Sequence, residues 1–214
     1  MRGHVLRLLS TAAIVAAVFI SVGLLGCASS GRPHAQSGAP PRLLDVDGHP
    51  VDFSTLSAPV TVVIFTRTDC PVSNRFAPEI VSLYKQFHPR GAEFYLVYVD
   101  PTEEPAAIRR HLADYGLPCR AVRDPDHTLV ARCKATITPE AAVFDRANAL
   151  VYLGRINDLY VDLGRARTQA STHELADAID ATFQGKPVPE ARTRAVGCTI
   201  ADLAAAPGRR TTPQ

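Results

Sequence analysis

Cys70 stands where a hydrophobic, strand-like run gives way to a helix-like one, in Val62-Val63-Ile64-Phe65-Thr66-Arg67-Thr68-Asp69-Cys70-Pro71-Val72-Ser73-Asn74-Arg75-Phe76. Only the thiolate is nucleophilic, and unpaired backbone N–H groups at a helix start favour negative charge there, so this placement predicts a reactive cysteine of lowered pKa. The flanks pull both ways: Asp69 opposes a second negative charge, whereas Arg67 and Arg75 favour one. Such a thiol can attack a disulfide or a peroxide. The opposing reading is a small buried hydrophobe, and the polar flanks and following proline argue against it.

The other cysteines are Cys27, Cys119, Cys133 and Cys198. Cys119 and Cys133 lie among residues where a core cysteine is ordinary, and both are expected in the core. Outside the cytosol Cys70, Cys119, Cys133 and Cys198 admit three full pairings, among which sequence does not choose. His88, His111, His127 and His173 show no metal-ligand spacing, so neither a structural zinc nor another cofactor is expected. Glu140 reads as an exposed carboxylate after a turn, and Arg155, Asn157 and Asp158 as a solvated loop with a salt bridge. No glycine-rich phosphate loop and no Ser-His-Asp arrangement is identifiable.

The elements that must position Cys70 follow from periodicity. Residues 60–66 are a near-continuous β-branched and aromatic run, the pattern of a central strand covered on both faces. Residues 73–87 carry apolar side chains at helical spacing, with a kink expected at Pro78. A second buried strand spans 93–99. The helix at 105–115 is expected to present Ile108, His111, Leu112 and Tyr115 on one side before Gly116 stops it. Asp124-Pro125-Asp126 turns into a short helix over 128–134. Strands at 141–144 and 150–155 are joined by a turn at 145–148. Ser171-Thr172-His173-Glu174 fits a capping box for a last helix closed at Gly185. With a hairpin at 43–53 turned by Asp47-Gly48, these elements predict a layered α/β domain.

The segment from Phe65 to Glu79 resembles, without gaps, the active-site segment of the thioredoxin-like superfamily, and Ile137-Thr138-Pro139 followed by Ala142-Val143-Phe144-Asp145 resembles that family's cis-proline segment. Over residues 42–203 the chain looks most like bacterial exported redoxins related to alkyl hydroperoxide reductase and thiol-specific antioxidant proteins. Gly197-Cys198-Thr199-Ile200 is similar to a Gly-Cys-x-Ile element in several of them. The resemblance implies a thioredoxin-like fold: a central mixed β-sheet flanked by helices, here with the N-terminal hairpin. It gives Cys70 the attacking role and gives Thr138 and Pro139 the presentation of backbone to the substrate disulfide.

Ser73 replaces the second cysteine of the dithiol pattern, and a hydroxyl cannot attack a mixed disulfide. Either an external thiol frees Cys70 or a distant cysteine resolves it. Cys198, expected in a mobile segment beyond the last helix, is the first choice, with Cys119 and Cys133 as alternatives. The expected function is an exported thiol–disulfide oxidoreductase acting on protein thiols or disulfides, or served by an external reductant. The alternatives are a thiol peroxidase, which the resemblance fits less well because Arg67 stands where peroxiredoxins carry Thr or Ser, and a non-catalytic thioredoxin-like binding module.

At the N-terminus, Arg2 and Arg7 precede an apolar run ending at Leu24-Leu25-Gly26-Cys27. This is an export signal in outline, and its end resembles the lipobox of bacterial lipoproteins, which implies a lipid on Cys27 and a membrane anchor in the cell envelope, facing the periplasm or the exterior. The expected divisions are a signal over 1–27, a flexible linker over 28–41, the redoxin domain over 42–203 and a disordered tail over 204–214. Net charge is +2 for the whole chain, and removing Arg2 and Arg7 leaves it balanced, so nothing calls for nucleic acid.

Overall fold

The computed structural model describes residues 43–201 and 203. The predicted central strand is β2 (Val60–Thr66), buried along its whole length. It pairs in parallel with β3 (Ala92–Tyr98) and antiparallel with β6 (Glu140–Asp145). β4 (Arg120–Arg123) lies parallel to β3, and β1 (Leu44–Asp45) and β7 (Leu150–Gly154) close the two edges antiparallel, giving the order β1-β4-β3-β2-β6-β7. This is the mixed central sheet the sequence predicts.

Alternate residues of β2 feed two cores, as the two-residue period of a strand requires. Val60, Val62 and Ile64 pack with Ile80, Leu83 and Phe87 of α2 (Ala77–Phe87), Ile108 of α3 (Pro105–Asp114) and Leu175, Ala178 and Ile179 of α5 (Glu174–Phe183). Val63 and Phe65 pack with Tyr95, Phe144 and the Leu129, Val130 and Cys133 side chains of α4 (Thr128–Cys133). Both faces are therefore covered, and β2 can carry apolar residues without alternation.

The predicted kink is a full break. α1 (Pro71–Arg75) and α2 meet at Phe76, because Pro78 has no N–H to offer the Asn74 carbonyl. Both prolines sit in the first turn of their helices, where a missing donor costs nothing. At the N-terminal end the hairpin shrinks to a turn: a single bridge joins Leu44 to Pro50, while β1 pairs instead with β4, a strand the periodicity reading lacked. α3 ends at Asp114, which leaves Tyr115 41% exposed rather than on the buried side.

The capping box does not form, because Ser171 and Thr172 have another partner. Their N–H groups donate to Asp158 Oδ1 at 2.6 and 3.0 Å, the Ser171 hydroxyl donates to Asp158 Oδ2, and α5 starts after His173 with no side-chain cap. Asp158 and Asn157 are buried, not solvated, and Asp158 also holds Arg167. Glu174 instead pairs with Arg155.

Two short ladders lie outside the main sheet. β8 (Tyr160–Asp162) pairs with β9 (Arg165–Ala166), and β10 (Cys198–Thr199) pairs with β5 (Ile137–Thr138). Before β10, the chain is stitched along β7: Leu153 N donates to Ala191 O at 3.0 Å, Thr193 N to Leu153 O at 3.2 Å, and Arg155 N to Thr193 Oγ1 at 2.9 Å. A Cβ on Gly154 would fall 1.9 Å from Thr193 Oγ1 and 2.8 Å from the Thr193 backbone, so glycine is required there for close approach. Among the described residues no helix is long and apolar enough to cross a membrane. The signal, Cys27, the linker and the tail fall outside the described residues.

Candidate active site

β2 delivers the chain to a loop that ends at Cys70, the residue that caps α1 in extended conformation (φ −81°, ψ 109°). The loop is held by side chains from elsewhere. Thr68 N donates to Glu103 Oε1 at 2.6 Å, and Asn74 Nδ2 donates to Thr68 O at 3.0 Å. Asn74 N also bonds Cys70 O at 3.0 Å, and Asn74 Oδ1 lies 2.8 Å from His111 Nε2. His111 Nδ1 in turn lies 2.8 Å from the Tyr98 hydroxyl. Burial pushes the His111 pKa down, so the ring is neutral; it accepts from Tyr98 at Nδ1 and donates to Asn74 at Nε2. A continuous relay thus runs from β3 and α3 to the cysteine loop.

The second half of the site is the Thr138–Pro139 peptide, which is cis. Its strand, β5, pairs antiparallel with β10 in the register Cys198↔Thr138. Cys70 Sγ lies 2.7 Å from Cys198 Sγ and 3.2 Å from Thr138 O. Both thiols are free, and the sulfurs are already closer than van der Waals contact. Cys198 belongs to a paired strand, which corrects the expectation of a mobile segment. Gly197 is what permits the approach: a Cβ there would fall 2.0 Å from Thr138 O.

The two thiols are driven apart electrostatically. Burial pushes the Cys70 thiol up, but hydrogen bonding by Cys198 first, then by the Ser73 hydroxyl and N–H and by the Thr138 side chain, outweighs it and leaves the pKa below its ordinary value. Cys198 is pushed up to about 11 by burial and by its partnership with Cys70. The leading causes are hydrogen bonds, not the flanking arginines; Arg67 is engaged by Asp69 and Asp100 at 2.8 and 3.3 Å. Ser73 Oγ is buried and has no hydrogen-bond partner, which leaves its proton available to a thiolate beside it. The arrangement sets a thiol of lowered pKa beside one of raised pKa.

The structure therefore brings Cys70, Ser73, Thr138, Pro139 and Cys198 together and leaves Cys119 and Cys133 in the cores, their thiols pushed up to about 12 by burial. Glu140 is buried rather than exposed, and accepts from Thr136 N at 2.8 Å, so it braces the turn before the cis peptide. Sequence reasoning missed Asn74 and the close approach at Gly197, which it met only as part of the Gly-Cys-x-Ile resemblance. An asparagine inside an otherwise helical run was the available signal for the first, since its side chain competes for backbone groups. Nothing local signalled the second.

A model of the AhpC/TSA family matches residues 36–153. Among solved structures, an uncharacterised conserved protein from Geobacillus kaustophilus superposes with a TM-score of 0.66 at 24% identity, covering 77% of this chain and 89% of that one. A hypothetical protein from Sinorhizobium meliloti 1021 gives 0.63 at 21% identity, covering 74% and 88%. MTB dsbF, in its mixed oxidized and reduced forms, gives 0.50 at 18% identity, covering 65% and 92%. These are likenesses of fold. No curated protein matches the chain.

Proposed function

The chain belongs to the AhpC/TSA family, and from that premise we propose that it is an exported thiol–disulfide oxidoreductase with Cys70 as nucleophile and Cys198 as resolving thiol. The observation that carries the reading is the 2.7 Å separation of two free sulfurs whose pKa values are displaced in opposite directions. The Cys70 thiolate attacks a substrate disulfide, forming a mixed disulfide and expelling the first substrate sulfur, which takes the Cys198 proton. The Cys198 thiolate then attacks Cys70 Sγ, releases the second substrate sulfur and leaves a Cys70–Cys198 disulfide. Two electrons pass from the protein dithiol to the substrate, and an external dithiol, or two external thiols that end as a disulfide, return them; run in reverse, the pair oxidises a substrate dithiol.

The pKa split suits both steps. A Cys70 thiol of lowered pKa ionises more readily for attack, and it is the sulfur attacked in the second step. Once Cys70 is held in a mixed disulfide it carries no charge, which removes one cause of the raised Cys198 pKa. Ser73 assists by stabilising the thiolate, and Thr138 and Pro139 form the floor on which the substrate backbone rests.

Disulfide mapping of the air-oxidised protein, with free thiols blocked before digestion, tests this directly. A Cys70–Cys198 bond with Cys119 and Cys133 free is expected; a bond from Cys70 to either core cysteine overturns the assignment. The same proposal places the domain at 42–203, tethered through a linker over 28–41 and a lipid on Cys27, with a tail beyond 203. Incorporation of labelled palmitate that is lost in Cys27→Ser is the expected result for the anchor, and equal labelling of both proteins removes it.

A further inference from the structure

The strand that carries Cys198 also covers the site it serves. Cys70 is only 1% exposed, and Cys198 lies against it on the half-exposed side. β10 is attached along the backbone next to the cis peptide: Cys198 pairs with Thr138, the Thr138 hydroxyl donates to Cys198 O at 3.3 Å, and Ile200 N donates to Thr136 O at 2.9 Å. Gly197 is pressed so closely on Thr138 that no side chain fits. The backbone edge beside the nucleophile is therefore already taken by the chain itself.

Two requirements now compete for this edge. An extended polypeptide presenting its disulfide to Cys70 needs the polar groups of Ile137 and Thr138, because a strand binds by main-chain pairing. Cys198 reaches Cys70 only while β10 holds those same groups. We propose, building on the oxidoreductase reading, that β10 is a displaceable strand occupying the edge an extended polypeptide substrate takes, so that its return both resolves the Cys70 mixed disulfide and expels the product. In the first step β10 lifts, the Cys70 thiolate breaks the substrate S–S bond and bonds one of its sulfurs, and the other leaves as a thiolate that takes up, through solvent, the proton Cys198 gives up. In the second, β10 re-pairs and evicts the substrate backbone while the Cys198 thiolate attacks Cys70 Sγ. The second substrate sulfur departs as a thiolate and takes a proton from water. The short ladder suits such exchange, since β10 has only two residues and Thr199 faces solvent.

The test measures access to Cys70 without requiring turnover. In the full chain carrying Cys198→Ser, which keeps the strand and removes the competing thiol, alkylation of Cys70 is followed with iodoacetamide and with an iodoacetyl-capped decapeptide. Two loosened versions are compared: Gly197→Ala, whose methyl group collides with Thr138 O, and Ile200→Pro, which lacks the N–H given to Thr136 O. The expected result is a roughly tenfold faster reaction with the peptide reagent in either loosened version and a clearly smaller rise with iodoacetamide, which needs the site uncovered but not the strand edge, the scale set by loss of a backbone hydrogen bond and its packing. Equal peptide rates in all three proteins overturn the proposal. So does a parallel rise for both reagents, which signals general loosening. A protein that shows gated labelling but no disulfide reduction loses the oxidoreductase reading and keeps the gate.

Discussion

Cys70 differs from Cys119 and Cys133 less in burial than in company. Burial pushes all four thiols upward, and it carries Cys119 and Cys133 to about 12. Cys119 has burial as its single cause, and no hydrogen bond contributes to the pKa of either core thiol. Cys70 is as buried as they are, yet its pKa falls because Cys198, Ser73 and Thr138 converge on its sulfur. Desolvation alone makes an inert thiol; desolvation with donors aimed at the sulfur makes a nucleophile.

The most drastic way to break this contrast is Cys70→Ser. Insulin reduction, read by turbidity, is expected to fall to the rate of the chemical reductant alone, and retention of more than about a tenth of the wild-type rate moves the nucleophile elsewhere. Cys198→Ala comes next. It removes the foremost hydrogen bond favouring the thiolate, so Cys70 alkylation should shift to higher pH, and a mixed disulfide with substrate should accumulate by mass spectrometry. An unmoved pH profile denies Cys198 its part in activating Cys70.

The core pair makes its own prediction at alkaline pH. Above the ordinary value of 9.0 the unfolded chain has lost the Cys119 and Cys133 protons while the folded chain keeps them to about 12. The folded state then binds more protons, so stability is full below pH 9 and declines as pH rises toward 12. Denaturant melts of the reduced protein should show the decline, and Cys133→Ala should flatten it while costing about 1 kcal/mol at neutral pH through lost packing. An identical slope in the variant separates Cys133 from the effect. The smallest change is expected for Ser73→Ala, which removes the hydroxyl but keeps the N–H: about a two- to threefold slower alkylation of Cys70 near neutral pH. A change as large as that of Cys198→Ala reverses their ranking.

How much of this was legible depended on how local the cause was. β2 was readable because a strand buried on both faces needs no alternation, and Cys70 was placed by the strand, the proline and the helix around it. The core positions of Cys119 and Cys133 followed from ordinary neighbours. β10 was not readable: two residues become a strand only because Thr138, sixty positions earlier, offers an edge. The capping box failed for a similar reason, since Asp158 competes for Ser171 and Thr172 from thirteen and fourteen residues away. Glu140 looked exposed because its acceptor role depends on how the chain turns at Thr136.

The seam between β7 and residues 191–193 has a kinetic consequence. Thr193 stays fastened through its N–H and hydroxyl, with Gly154 beneath it, and Cys198 follows five residues later. A freed Cys198 thus swings on a leash of at most about 17 Å. A thiol confined to that radius meets Cys70 at an effective concentration on the order of millimolar or above. Any free thiol in the surroundings has to exceed that concentration before it intercepts the mixed disulfide, so the leash sets how reducing the compartment can become before Cys198 loses the race.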